Sequence, residues 1–298
     1  MPLEFNLSSY AKVNWSLRVL GKRADGYHDL CTLLQTISLY DTLHFAESDA
    51  LELTCDDPTV PTDDRNLVIK AAIELSNVTG KKPGARVHLE KRIPSPGGLG
   101  GGSSNAAVTL IGLTKLWDLE VDQEGLLAIA ADLGSDVPFF LFGGTCIGTD
   151  RGETLEPVAD IREESMLVVT PSVDVSTGEA FKRVNPRNLT KGDPESILRV
   201  CRFAAESGDL CNKTLINDFE AVVFPVYPEI ARVKKTLLGL GGCRAIMSGS
   251  GASVFAIFDK EETRQTAIKA LDIESTWRKF AVATISRDEY REALRPAH

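Results

Sequence analysis

The residues best able to do chemistry are a glycine-rich run at 94–107, a lysine and an asparagine at 12 and 14, and an aspartate at 136 ahead of an apolar segment. The run reads Pro94-Ser95-Pro96-Gly97-Gly98-Leu99-Gly100-Gly101-Gly102-Ser103-Ser104-Asn105-Ala106-Ala107, with five glycines among the six residues from Gly97 to Gly102. Glycine lets successive backbone units take positive φ and approach a ligand closely. A strand, a loop of bare N–H groups and a helix N-terminus together cradle phosphate. Ser103-Ser104 ahead of the alanines predicts the N-cap of that helix. The loop is not a Walker loop, because Ser103 stands where Gly97-x4-Gly102 would need a lysine next. No start within it gives the Rossmann glycine spacing, and the protein-kinase signatures H-R-D and D-F-G are absent from the chain. It is a phosphate loop of another class.

Lys12 and Asn14 stand in an otherwise alternating apolar segment and so project to one face. A lysine and an amide there suit an anionic partner; on spacing alone, a solvated edge-strand lysine fits as well. In Arg23-Ala24-Asp25-Gly26-Tyr27-His28-Asp29, the Asp-Gly pair predicts a turn that leaves Tyr27 and His28 at a strand start. An aromatic face beside a two-faced hydrogen-bonder suits stacking on a base and reading its edge. A packed tyrosine and a surface histidine would also satisfy the pattern. Asp136, in Gly134-Ser135-Asp136-Val137-Pro138-Phe139-Phe140, follows a helix-stopping glycine. A carboxylate partly desolvated there needs a cation to stay ionised, and Lys12 is the candidate; the plainer alternative is a capping aspartate.

The elements that must hold these groups follow from hydrophobic periodicity. Residues 5–20 alternate as a strand ending at Gly21, and residues 33–45 and 51–54 continue in strand character. Asp63-Asp64-Arg65-Asn66 opens a helix with Leu67, Ala71, Leu75 and Val78 on one face, stopped at Gly80. Residues 86–93 alternate as a strand, the glycine loop spans 94–102, and helices are predicted over 103–117 and 123–133. Beyond these come a short apolar strand at 166–170 and helices over 176–184, 194–206, 228–238 and 261–271. Strands at 245–247 and 252–258 are joined by Ser248-Gly249-Ser250-Gly251, and a strand at 280–285 closes the chain. Strands and helices mix without regular βαβ alternation, which predicts an α+β fold. The polar stretch 157–165 divides an N-terminal domain, residues 1–160, from a C-terminal domain, residues 161–298.

Length and composition agree. A chain of 298 residues has room for two domains. With 43% hydrophobic and 25% charged residues it is not a disordered chain, a collagen or a coiled coil. Lys+Arg number 33 against 42 Asp+Glu, a net charge of −9. An acidic chain without a basic run is a poor general binder of nucleic acid or anionic membrane, so any anion must be met by a local site. No apolar run reaches the ~18–20 residues needed to span a bilayer, and Met1-Pro2-Leu3-Glu4-Phe5 does not open a secretory signal. The six cysteines, at 31, 55, 146, 201, 211 and 243, contain no CxxC pair and read as scattered, mostly buried thiols of a reducing compartment. The expectation is a soluble cytoplasmic enzyme acting on a small molecule, with no nucleic acid or membrane as partner and a monomer by default.

Taken in order, these segments resemble the GHMP kinases. The family's central motif is matched by Pro94-Ser95-Pro96-Gly97-Gly98-Leu99-Gly100 with Ser103-Ser104 and Ala106-Ala107, and its third motif by Met247-Ser248-Gly249-Ser250-Gly251-Ala252. Ala11-Lys12-Val13-Asn14, Arg23-Ala24-Asp25-Gly26-Tyr27-His28, the triple glycine after Leu99 and Gly134-Ser135-Asp136-Val137-Pro138-Phe139 narrow the resemblance to members acting on a cytidylyl-bearing sugar alcohol. It runs from about Ser9 to Phe258.

The resemblance implies a two-domain GHMP-kinase fold, with an N-terminal domain like a ribosomal-protein domain, a ferredoxin-like C-terminal domain and the active site between them. The implied reaction is phosphorylation by ATP, with Mg²⁺, of the 2-hydroxyl of cytidylyl-methylerythritol, in non-mevalonate isoprenoid synthesis. Lys12 and Asp136 fall on catalytic positions and Asn14 on a substrate contact. Tyr27 and His28 fall on the cytosine-binding positions, and Phe181, in Val175-Ser176-Thr177-Gly178-Glu179-Ala180-Phe181, on the second aromatic of that clamp. Asn66, in Arg65-Asn66-Leu67, resembles an adenosine contact. The run Pro94, Ser95, Pro96, Gly97, Gly98, Leu99, Gly100, Gly101, Gly102, Ser103 and Ser104 falls on the ATP site, with either serine open as a metal contact. Pro96 departs from the small residue usual in relatives, and residues 184–196 match nothing in the family's pattern. Two other readings remain: a mevalonate or homoserine kinase of the same family, which has no evident use for Tyr27-His28, and a non-catalytic nucleotide-binding protein on the same fold. Retention of Lys12 and Asp136 speaks against the second.

Overall fold

Two long strands carry the molecule. In the computed structural model, which describes residues 3–184, 190, 193–208, 210–211 and 215–295, β1 (Glu4–Lys22) and β2 (His28–Ala46) pair antiparallel. Residues 23–27 close the hairpin. Arg23 N donates to Tyr27 O, Asp25 Oδ1 accepts from Tyr27 N, and Gly26 takes φ +89°, which the turn predicted from Asp25-Gly26 requires. β2 continues the sheet on its other edge through β4 (Ala85–Glu90), beside β3 (Leu51–Cys55), and through β5 (Thr145–Thr149), beside β6 (Thr154–Pro157). Only β3 and β4 run parallel.

Helices α1 (Leu67–Thr79), α2 (Gly101–Leu116), α3 (Gln123–Leu133) and the short α4 (Phe139–Phe142) supply the apolar cover of this sheet. Asn66 caps α1 and Gly80, at φ +68°, ends it, as the flanking residues predict. Gly112 lies where α2 meets β2. A Cβ there would fall 2.5 Å from the Phe45 ring, which accounts for a glycine inside a helix despite a cost of about 1 kcal/mol relative to alanine.

The second sheet contains β7 (Met166–Pro171), β8 (Arg244–Met247), β9 (Val254–Ile257) and β10 (Trp277–Val282), all antiparallel in the order β10-β7-β9-β8. Between these strands lie α5 (Thr177–Arg183), α6 (Pro194–Ser207), α7 (Glu220–Val223), α8 (Pro228–Gly239) and α9 (Glu261–Ala270). With α8 and α9 as its crossovers the sheet follows the βαββαβ ferredoxin-like order. α10 (Arg287–Ala293) returns to the first sheet's helices, where Tyr290 Oη donates to Phe140 O.

Both faces of the second sheet are buried. Leu167, Val169, Val254 and Ala256 pack toward α8 and α9, whereas Val168, Phe255 and Ile257 alternate toward the first sheet. There they meet Ala11, Val13 and Trp15 of β1, and the Trp15 and Phe255 rings cross edge-on at 5.2 Å. Such a pair contributes about 0.5–1.5 kcal/mol beyond burial. The α+β class is as expected, and β1 runs through the middle of the packed layers. Among the described residues, no helix is long and apolar enough to cross a membrane.

Three local expectations are corrected. Ser103 and Ser104 do not cap α2: the helix begins two residues earlier, after Gly100 at φ +72°. Ser104 is instead buried, with its hydroxyl 2.7 Å from Ser9 Oγ. Nor are all six cysteines free thiols. Cys211 and Cys243 form a disulfide, because the fold brings together two positions 32 residues apart. Cys31, Cys146 and Cys201 are buried thiols, as expected. The closing strand lies at Trp277–Val282, earlier than 280–285, because its register is set by β7. α10 and the β5–β6 hairpin were not predicted, although Ser286 and Glu289 form a capping box readable as Ser-x-x-Glu. Of the stretch 184–196, residues 185–189 and 191–192 lie outside the described residues.

Candidate active site

A cavity of about 790 Å³ opens between the two halves. The glycine loop forms one wall and cannot be built from other residues without moving its neighbours. Gly98 takes φ +71°, and a Cβ there would overlap the Ser248 carbonyl oxygen; one on Gly100 would lie 2.8 Å from the Phe140 ring and 3.0 Å from Lys12 Cγ. The loop is held from both sides. Lys12 N donates to Leu99 O at 2.9 Å, Ser248 Oγ to Gly98 O at 2.8 Å and Ser253 N to Gly97 O at 3.1 Å. Pro94, Ser95, Pro96 and Gly97 to Ser103 line the cavity, including the first turn of α2. Backbone N–H groups and a helix N-terminus therefore face it.

Lys12 enters from β1 and Asp136 from the turn between α3 and α4. The Lys12 side chain is only 3% exposed. Its Nζ donates to Asn14 Oδ1 at 2.8 Å and lies 3.4 Å from Asp136 Oδ2. Asn14 is also buried, and its Nδ2 donates to Thr32 Oγ1 at 2.8 Å. The more desolvated member of the ion pair is thus the lysine, carried by a strand through the core. Asp136 sits at the cavity edge, 42% exposed. The arrangement offers a carboxylate open to a ligand, beside an ammonium whose surroundings exclude water.

The opposite end of the cavity is aromatic. His28 stacks on Phe181 with centroids 5.3 Å apart and planes at 26°, and Phe181 meets Phe219 edge-on at 4.7 Å. Tyr27 is 55% exposed, and the Arg151 guanidinium lies over its ring at 5.0 Å. Burial, reinforced by the Lys22 ammonium, pushes the His28 pKa below the ordinary histidine value and so favours the neutral ring. A neutral imidazole offers one donor and one acceptor.

Two expected site residues lie apart from this cavity. Asn66 is occupied in capping α1: its Oδ1 accepts from Val68 N, and its Nδ2 donates to Pro61 O. Its neighbour Leu67 is the residue that lines the cavity. Ser104 is turned away toward Ser9, leaving Ser103 as the serine at the cavity wall. Sequence reasoning missed Lys22, Thr32, Arg151, Thr177 and Ser250, which also line it. Thr32 and Lys22 had a signal in the β1–β2 pairing; Arg151, on the β5–β6 turn, had none.

A model of the GHMP kinases N terminal domain matches residues 66–144, and one of the GHMP kinases C terminal domain matches residues 187–275. The 4-diphosphocytidyl-2-C-methyl-D-erythritol kinase of Thermodesulfovibrio yellowstonii is 40% identical over 264 residues, 88% of this chain and 92% of that one. A crystal structure of 4-(cytidine 5'-diphospho)-2C-methyl-D-erythritol kinase, 34% identical, superposes with a TM-score of 0.79 over 94% of this chain and 98% of that chain. Homoserine kinase from Cytophaga hutchinsonii, 18% identical, superposes with a TM-score of 0.70 over 96% of each chain, a likeness of fold alone.

Proposed function

The chain belongs to the GHMP kinase family, and on that premise we propose that it transfers the γ-phosphoryl group of ATP to the 2-hydroxyl of 4-diphosphocytidyl-2-C-methyl-D-erythritol. The observation that carries the reading is the ion pair of Lys12 and Asp136, 124 positions apart in sequence and 3.4 Å apart across the cavity that the glycine loop borders. The aromatic end selects the acceptor. A mevalonate or homoserine acceptor has no planar base for His28, Phe181 and Tyr27 to hold, whereas a cytosine has both a face to stack and a polar edge to read.

Phosphoryl transfer depends on positioning and on stabilising charge. Asp136 holds the acceptor hydroxyl in line and takes its proton on a carboxylate oxygen. Lys12 orients that carboxylate through the ion pair and stabilises negative charge on the transferred group. Asn14 fixes the ammonium through its Oδ1. The N–H groups of the glycine loop and the first turn of α2 hold the phosphates, in a cradle that a Cβ at Gly98 would fill. Mg²⁺ would neutralise charge on the phosphates, and Ser103 is the hydroxyl suited to its neighbourhood, since Ser104 is bonded to Ser9.

The acceptor assignment is tested by ADP release from ATP with the cytidylyl substrate, mevalonate and homoserine in parallel; turnover of either of the last two in preference to the first overturns it. His28→Ala removes half of the stack on Phe181. The KM for the cytidylyl substrate is expected to rise about 10-fold or more, with the KM for ATP within about twofold, given that base–aromatic stacking contributes about 1–3 kcal/mol. A loss of ATP affinity of the same size would contradict the division of the cavity into two ends.

A further inference from the structure

We propose that Asn217 is a positioning residue for this phosphoryl transfer, acting on Lys12 through the Ser248–Gly251 turn and Asn14; this rests on the reading of Lys12 and Asp136 given above. Asn217 does not line the cavity and is 3% exposed. Its Nδ2 donates to two carbonyls of the glycine turn region, Met247 O and Gly249 O, each at 2.7 Å. Its Oδ1 accepts from Phe219 N at 2.9 Å. Both amide hydrogens and the amide oxygen are therefore used on backbone, and only an amide supplies that set in this space.

The turn so held reaches the catalytic pair by one further bond. Gly249 N donates to Asn14 Oδ1 at 2.9 Å, the oxygen that also accepts from Lys12 Nζ at 2.8 Å. Two donors on one oxygen fix which way the Asn14 amide faces. Gly249 takes φ +55°, and a Cβ there would fall 3.3 Å from Lys12 Nζ, so the turn also bounds the space of the ammonium. Asn217 itself is anchored to the strand that bears Lys12. Leu17 N donates to Ile216 O and Asp218 N to Leu17 O, both at 2.9 Å, and Asp218 Oδ2 accepts from Val19 N at 2.8 Å. The segment 216–218 thus clamps the glycine turn to β1, and Asn217 is the part that grips the turn. A misplacement of the reacting groups by about 1 Å can cost about 100-fold in rate.

Asn217→Asp keeps the shape and the bond from Phe219 N but sets a carboxylate oxygen against two carbonyl oxygens. The expected result at pH 8 is a fall in kcat of about 10–100-fold, with the KM for the cytidylyl substrate within about threefold, because Tyr27, His28 and Phe181 are not touched. Burial raises the pKa of the introduced carboxyl, and its acid form donates one hydrogen bond. The deficit relative to the parent enzyme is therefore expected to shrink as pH falls from about 8 to about 6, which a loss of folded protein would not produce. A second arm combines Asn217→Asp with Asn14→Ala. If Asn217 acts through Asn14, the double variant is no slower than about threefold below the worse single variant, and multiplying effects overturn the proposal. Asn217→Ser, which retains one donor in a smaller side chain, is measured alongside for the case in which Asn217→Asp does not fold. A folded serine variant with parental kcat overturns the proposal, and one with kcat lowered and KM kept supports it. Full activity of Asp136→Asn would sink the underlying reading; a dead Asp136→Asn beside a fully active Asn217→Asp sinks this proposal alone.

Discussion

Asp136→Asn is expected to lower kcat by about two to four orders of magnitude, the usual size of a general-base contribution, while the KM values for ATP and acceptor stay within about threefold. The substitution is nearly isosteric. It keeps an oxygen that can accept a hydrogen bond from the substrate hydroxyl, but it removes the site that takes the proton. Lys12 keeps its bond to Asn14 Oδ1, so the ammonium is not stranded when the carboxylate goes. At 42% exposure Asp136 sits at a cavity edge and not in the core, so the loss reads on chemistry and not on folding. Steady-state ADP release checks the result, and near-parental activity would assign the base elsewhere.

The second large effect belongs to Lys12. Lys12→Met is expected to lower kcat by about 100–1,000-fold, the range for removing one preorganised charge stabiliser, without lowering the melting temperature. Methionine fills the path of the aliphatic stem, and the change removes a charge from a site only 3% exposed, where desolvation offsets much of what the ion pair contributes. Activity and stability therefore separate. Lys12→Arg is expected not to restore the rate. A planar guanidinium does not put a compact charge where Lys12 Nζ sits, 2.8 Å from Asn14 Oδ1 and 3.4 Å from Asp136 Oδ2. Thermal melts beside the kinetic assay check both halves of the prediction; unfolding of Lys12→Met would make the lysine structural.

How far the sequence led can be judged at particular residues. The α1 helix was legible to within a residue because its signals are local: an asparagine cap before it and a left-handed glycine after it. The glycine loop was legible as a loop between a strand and a helix, because five glycines in six residues fit the interior of neither. The helix that follows it was misplaced at its start, because the fate of Ser104 is decided by Ser9, about a hundred residues earlier. Lys12 and Asn14 could be put on one face by period alone, but their burial could not. That depends on the second sheet covering β1, a contact between distant parts of the chain. The disulfide between Cys211 and Cys243 and the grip of Asn217 on Gly249 are of the same kind. Arg151 stands over Tyr27 only because the β5–β6 turn folds back beside the first hairpin. Local chemistry was readable, and what tertiary packing alone decides was not.

The central claim is tested most directly by phosphorus NMR of the product formed from ATP, magnesium and 4-diphosphocytidyl-2-C-methyl-D-erythritol. The account predicts one new phosphomonoester, on the 2-oxygen of the methylerythritol unit, for each ADP released, with the cytidine diphosphate linkage intact. ADP formed with free phosphate in place of the ester, or an ester at another oxygen, would contradict it.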